Sequence, residues 1–184
     1  MTTPTPPANP VGREEVVAAT LAAAAELFAE RGPAATSIRD IATRSNVNHG
    51  LVYRHFGTKE RLVGAVLEHL GSTLTTLVNG GAPADEIEQT MDRHIRVMAR
   101  ALLDGYPVGQ LQTRFPGVTL LLEQVLPRSA DERSARLAVA NAVALQMGWR
   151  LFEPFLRSAA GLEGVSDAEV KDSVGAEIAR MLEP

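Results

Sequence analysis

The chain of 184 residues contains no cysteine. Neither a disulfide framework nor a thiolate metal site can form, which fits a reducing cytoplasm. No apolar run reaches about 18 residues, so no membrane span is expected. The first residues, MTTPTPPANPVG, lack the basic and apolar regions of a signal peptide. No long alternating run of β-branched and aromatic residues is present, which argues against a strand-built fold. A Ser-His-Asp set, a glycine-rich phosphate loop and a carboxylate pair are also missing from the background of helical charges. An enzyme would have no residue to name as its catalyst, and no cofactor is expected. His69 and His94 have no partner ligands at metal spacing, so both read as structural or surface residues and no metal is expected.

What is present favours helices. Apolar residues make up 45% of the chain, enough for a globular protein rather than a disordered one. Its length allows one sizeable core or two small ones. Ala, Leu, Arg and Glu dominate between loops in which Pro and Gly cluster. An all-α fold follows.

The net charge is −4, the wrong sign for attraction to phosphates. Its distribution is uneven. Residues 31–61 carry six basic groups (Arg31, Arg39, Arg44, Arg54, Lys59, Arg61) against two acids (Asp40, Glu60), a net of +4. Residues 71–184 carry eleven basic groups against fifteen acids, a net of −4. Local charge, not the total, sets attraction to a polyanion. Charge alone does not separate such a segment from a solvated helical face.

Residues 1–12 are rich in Pro and Thr and read as a disordered tail. Helix 1 is expected from Arg13 to Glu30, ended by Gly32-Pro33. Thr36 or Ser37 caps helix 2, and Ser37-x-x-Asp40 has the spacing of a capping box. Asn48 suits the cap of helix 3 and Thr58 that of helix 4, which runs from Lys59 towards Val78. Asn79-Gly80-Gly81-Ala82-Pro83 is the clearest break and divides a first domain, 13–79, from a second, 80–184. In the second, helices are expected over Ala84–Leu103, Val108–Thr113, Gly117–Leu126, Asp131–Leu156 (bent where Pro154 removes a donor) and Ser166–Leu182.

Residues 36–62, TSIRDIATRSNVNHGLVYRHFGTKERL, are the most informative stretch. Ile38, Ile41 and Ala42 form one apolar face. Val47, Leu51 and Val52 form the next, across a tight break at Ser45-Asn46-Val47. Two short helices around such a turn are the helix-turn-helix pattern, whose second helix enters the DNA major groove. His49–Phe56 would be about 12 Å long, matching a groove about 12 Å wide.

These residues resemble the signature of TetR-type transcriptional regulators: Ile41-Ala42, Val47, Leu51-Val52-Tyr53-Arg54-His55-Phe56, Lys59 and Leu62. The resemblance covers roughly residues 13–70. Beyond them it rests on architecture and on Gly148-Trp149-Arg150-Leu151-Phe152-Glu153-Pro154-Phe155, similar to a late helix of the family. One departure is the turn, where the family's Ala-Gly is replaced by Ser45-Asn46. Asn tolerates a left-handed backbone, so the turn should survive.

The resemblance implies a homodimeric repressor, released from a palindromic operator by a small molecule in its helical C-terminal body. Tyr53 then stands where a tyrosine contacts backbone phosphate, or else packs its ring in the core. Lys59 opens a helix, where a cation opposes the dipole. Either it meets a phosphate there or it is a solvated lysine. Thr36 and Ser37 are caps that could also donate to phosphate, and His55 could bond phosphate or lie at the surface. Asn48, His49, Gly50 and Arg54 are candidates for base reading, since Arg pairs with guanine and Asn with adenine. Gly50 costs its short helix about 1 kcal/mol against Ala. Close approach to DNA or close packing on a neighbouring helix would each explain it.

In the body, Met91, His94, Ile95, Met98, Phe115, Trp149 and Phe152 could line a mostly apolar ligand cavity, or be plain core. Leu137, Val143 and Phe155, with Val170, Val174 and Ile178 on the last helix, are candidates for a dimer interface. The alternative function keeps the DNA-binding head and makes the body a dimerisation or protein-partner module without a ligand.

Overall fold

A computed structural model describes residues 12–183; the expected tail, except Gly12, lies outside the described residues. Those residues form nine α-helices, one 3-10 turn and no strand: α1 Arg13–Arg31, α2 Ile38–Ser45, α3 His49–Phe56, α4 Lys59–Asn79, α5 Ala84–Leu103, α6 Val108–Leu111, α7 Pro116–Val125, the turn Leu126–Arg128, α8 Glu132–Ala160 and α9 Asp167–Leu182.

Packing divides the chain differently from chain order. One compact unit joins the described residues up to Thr73 to Arg96–Arg114. The other joins Leu74–Ile95 to the described residues from Phe115 onward. The boundaries therefore fall inside α4 and α5 rather than at the Gly80-Gly81 break.

The first unit has a dense core. Phe28 of α1, Ile41 of α2, Val52 of α3 and Leu62, Val63, Val66 and Leu67 of α4 are all fully buried. Val97 and Ala101 of α5 and Val108 of α6 join the same core. The short α6 lies hard against α4: a Cβ on Gly64 would sit 2.2 Å from the Leu111 carbonyl oxygen. Only a glycine admits that approach. Glu68 of α4 accepts hydrogen bonds from the Thr113 backbone N–H and from its hydroxyl, the latter at 2.8 Å.

The second unit has a smaller buried centre, Val125, Ala135 and Val139, with Val118, Leu121, Leu122, Val143 and Leu182 packed around it. α8 was expected to end at Leu156 but continues through Pro154 to Ala160, where Gly161 caps it in a left-handed conformation. Arg157 explains the extension. Its guanidinium donates to the Val165 carbonyl at 2.6 Å and pairs with Glu153 at 2.9 Å and Asp167 at 2.8 Å. The last turn of α8 is thereby tied to the start of α9. No described helix is long and apolar enough to cross a membrane.

Candidate nucleic-acid interface

Ser37 rather than Thr36 caps α2. The Ser37 hydroxyl accepts from the Asp40 N–H at 3.1 Å and the Asp40 carboxylate accepts from the Ser37 N–H at 2.9 Å, a reciprocal pair. That bond, aided by Arg31, holds the Asp40 carboxyl below its ordinary range. α2 ends at Asn46, the sole non-glycine residue with positive φ among those described (φ 53°, ψ 34°). Asn thus supplies the turn for which a glycine was the alternative. The Val47 N–H then donates to the Ala42 carbonyl at 3.0 Å and its side chain is buried, which fixes where α3 begins.

Asn48 caps α3, accepting from the Gly50 N–H at 2.8 Å. Val52 is fully buried beneath the helix, and Leu51 and Phe56 pack on the core. The opposite face carries His49, Gly50, Tyr53 and Arg54, all exposed, with His55 half-buried. Tyr53 is 65% exposed, so its ring does not lie in the core. Among the described residues, the only non-neighbouring atom near a Cβ on Gly50 would be Asn48 Oδ1 at 3.1 Å. Packing on a neighbouring helix therefore does not account for this glycine.

The basic groups sort into two sets. Arg31 pairs with Asp40 at 3.0 Å, and Arg44 with Glu26 at 3.0 Å and Glu30 at 3.3 Å. These hold α1 and α2 together. Arg39, Arg54, Lys59 and Arg61 have no carboxylate within ion-pair distance among the described residues. Lys59 reaches only the Ala34 carbonyl, at a long 3.4 Å. The charge surplus of this segment therefore rests on four side chains at or near its surface.

Arg39, Thr43, Asn46, Asn48 and His49 rim one open polar concavity beside the start of α3. Arg39 and Thr43 were absent from the expected site. Their signal was present in the sequence: spaced i, i+4, they share the exposed face of α2. Thr36 departs from expectation in the other direction. It is 1% exposed and its hydroxyl donates to the Gly32 carbonyl at 2.8 Å.

The residues expected around a ligand are dispersed. Met98 packs on the core of the first unit. In the second unit, Ile95 is buried and Met91 half-buried. Phe115 and Phe152 are exposed. Trp149 lines a cleft between α8 and α9 with Leu145, Leu162, Val165, Val170 and Val174. His94 has a buried Nε2 without a hydrogen-bond partner among the described residues, and burial lowers its pKa to about 4. Of the candidate interface residues, Leu137 and Phe155 are 55% and 69% exposed. Val143 packs on the second core and Val170 is buried, so both are satisfied within one chain. Val174 lines the α8–α9 cleft and Ile178 is half-buried. No cluster of three metal-ligating side chains exists among the described residues.

The family signature described as "Bacterial regulatory proteins, tetR family" matches residues 21–66, the span of these elements. A protein of Mycobacterium tuberculosis named an HTH-type transcriptional repressor is 66% identical over 175 residues, covering 95% of this chain and 93% of that protein. The HTH-type transcriptional repressor KstR2 of Mycolicibacterium smegmatis is 41% identical over 64 residues, 35% of this chain and 30% of that protein. The fold is similar to the crystal structure of a TetR-family transcriptional regulator from Streptomyces coelicolor. The TM-score is 0.51 at 24% identity, over 92% of this chain and 96% of that one.

Proposed function

Since the chain belongs to the TetR family of bacterial regulatory proteins, we propose that it is a homodimeric, sequence-specific repressor that a small, mostly apolar ligand releases from its operator. Membership makes it a transcriptional regulator and not an enzyme. The observation that carries the DNA-binding detail is the exposed face of α3. His49, Gly50, Tyr53 and Arg54 line one side of a helix whose other side is anchored by Val52. The helix is the right length for a major groove, and its exposed side chains include a bidentate donor for guanine in Arg54. Tyr53, Lys59, Ser37 and His55 contact phosphate and set register, while Asn48, His49 and Arg54 read base edges. Thr36 is not part of the interface.

Dimerisation is supported by α8. Leu137, Phe152 and Phe155 are large, apolar and exposed, and exposed Ala140 and Ala144 lie between them on the same side. Small residues between large ones admit a close second helix. A two-fold dimer gives two copies of α3, suited to half-sites about 34–36 Å apart on a palindrome. The ligand is supported by the unpartnered, buried His94 Nε2 beside apolar Met91 and Ile95 on α5. A hydrogen-bonding group on a largely apolar molecule would satisfy it.

The test is selection of bound duplexes from a random DNA pool. Recovery of a palindromic site with two half-sites is the expected result, and recovery of no preferred sequence overturns the reading. Thermal-shift screening of apolar amphiphiles addresses the ligand, which must weaken operator binding by the factor by which operator weakens it.

A further inference from the structure

We propose that Asp104 is a positioning residue for DNA binding: it fixes the turn between α1 and α2 so that Lys59 and the start of α2 meet phosphate together. The proposal rests on the reading of Lys59 as a phosphate contact. Asp104 lies directly after α5, far along the chain from that turn. Yet its Oδ2 accepts a hydrogen bond from the Ala34 N–H at 2.6 Å, and a charged acceptor makes such a bond stronger than a neutral one.

The turn's own hydrogen bonds leave the Ala34 N–H to Asp104. Pro33 has no N–H to donate. The Thr36 N–H is used on the Pro33 carbonyl at 3.1 Å, and the Thr36 hydroxyl on the Gly32 carbonyl at 2.8 Å. Asp104 also sits in the space a side chain at residue 32 would take: a Cβ on Gly32, where φ is +82°, would lie 2.8 Å from Asp104 Oδ2. On the far side of Ala34, its carbonyl accepts from Lys59 Nζ at a long 3.4 Å. Carboxylate, Ala34 and ammonium thus form one chain of contacts ending at the opening of α4. Tyr106 supports the grouping. Burial first, then the charges of Glu60 and Asp104, hold its phenol above the ordinary range, so both acids lie near one ring.

Charge alone predicts the opposite consequence. An acid near a phosphate-facing lysine repels DNA, and its removal should tighten binding. Positioning predicts that its removal weakens binding despite the lost repulsion. The substitution therefore changes affinity in opposite directions under the two accounts.

The experiment uses the full chain and a fluorescently labelled random-sequence duplex long enough for two half-sites, followed by anisotropy. Phosphate contacts act on any sequence, so no operator is needed. Asp104→Ala should weaken binding about tenfold, the scale of one lost charge-assisted bond. Asp104→Asn keeps an acceptor for the Ala34 N–H and removes the charge, so it should bind at or above wild-type affinity. In a Lys59→Ala background, the loss caused by Asp104→Ala should be smaller, because only the contact at the start of α2 then depends on it. Equal or tighter binding by Asp104→Ala overturns the proposal, as does an undiminished loss in the Lys59→Ala background. If Asp104→Ala does not fold by thermal melting, Asp104→Asn decides: weaker binding than wild type overturns the proposal. Lys59→Ala alone tests the underlying reading, because unchanged binding there removes Lys59 as a phosphate contact whatever Asp104 does.

Discussion

The two compact units solve burial differently. The first encloses Phe28, Ile41, Val52, Leu62 and Leu67 completely within one chain. The second has a smaller buried cluster, Val125, Ala135 and Val139, and leaves Leu137, Phe152 and Phe155 facing outward. Scattered exposed apolar residues are normal, but a stripe along one helix marks a surface meant to be covered. The first unit closes its core within one chain and displays polar side chains on α3, although Leu102 and Leu103 stay exposed at the end of α5. The second carries an exposed apolar stripe along α8, which a second copy would cover.

Phe28→Ala is the harshest test of the first half of that contrast. The side chain is fully buried where α1 joins the core, so truncation should cost about 3–5 kcal/mol. Chemical denaturation measures it, and a cost under about 1 kcal/mol would show that this core is not as closely packed as its burial implies. Association should be untouched wherever the variant remains folded.

The second half is tested by Leu137→Glu with Phe155→Glu. Both sites are exposed in one chain, so secondary structure should survive by circular dichroism. If α8 forms the dimer interface, each change should cost association about 2–4 kcal/mol, the scale of a central interface residue. Sedimentation at micromolar concentration should then give monomers. A dimer that persists with both changes moves the interface away from this stripe.

Acid should separate the units as well. His94 has a pKa of about 4 in the folded chain, below the ordinary histidine value of 6.5, because it is buried. A group whose folded pKa is depressed adds stability above its unfolded pKa. That stability is lost as pH falls from about 6.5 towards 4. Between neutrality and pH 5 the loss is about 2 kcal/mol, taking 1.36 kcal/mol per pH unit. Trp149, the single tryptophan, lies in the second unit. Its emission should shift over this range in wild type and not in His94→Leu. An identical acid response in that variant would assign the effect elsewhere.

Much of this was legible in the sequence, and what was not has a common cause. The capping pairs Ser37–Asp40 and Ser166–Glu169, the Asn48 cap and the bounds of α3 and α5 follow from signals within a few residues. So does the left-handed Asn46. Long-range contacts were invisible. Arg157, reaching Val165 and Asp167, carries α8 past Leu156, where its end was expected. Asp104, bonded to Ala34, draws the end of α5 into the first unit, against the division read from the glycine break. Apolar periodicity could not tell Met98, which packs half-buried on the first core, from Phe115, which is exposed. Nor could it tell Val143, turned inward, from Leu137, turned outward on the same helix.

The smallest expected effect is also the sharpest on function. Tyr53→Phe removes one oxygen from a ring that is 65% exposed and whose hydroxyl has no hydrogen-bond partner among the described residues. Nothing in the fold depends on that oxygen, so unfolding free energy should change by less than about 0.5 kcal/mol. A phenol donating to phosphate contributes about 0.5–1.5 kcal/mol, so DNA affinity should fall by a few-fold. The loss should be the same for every DNA sequence, because phosphate carries no sequence information. Arg54→Ala, on the same exposed face, should behave otherwise: the loss should concentrate at particular base positions, at about 1–3 kcal/mol if a bidentate contact to guanine goes. Measuring both variants against a panel of single-base operator changes separates the roles. Unchanged affinity for Tyr53→Phe would remove the phenol from the interface. A loss confined to certain sequences would make it a reader of bases rather than an anchor.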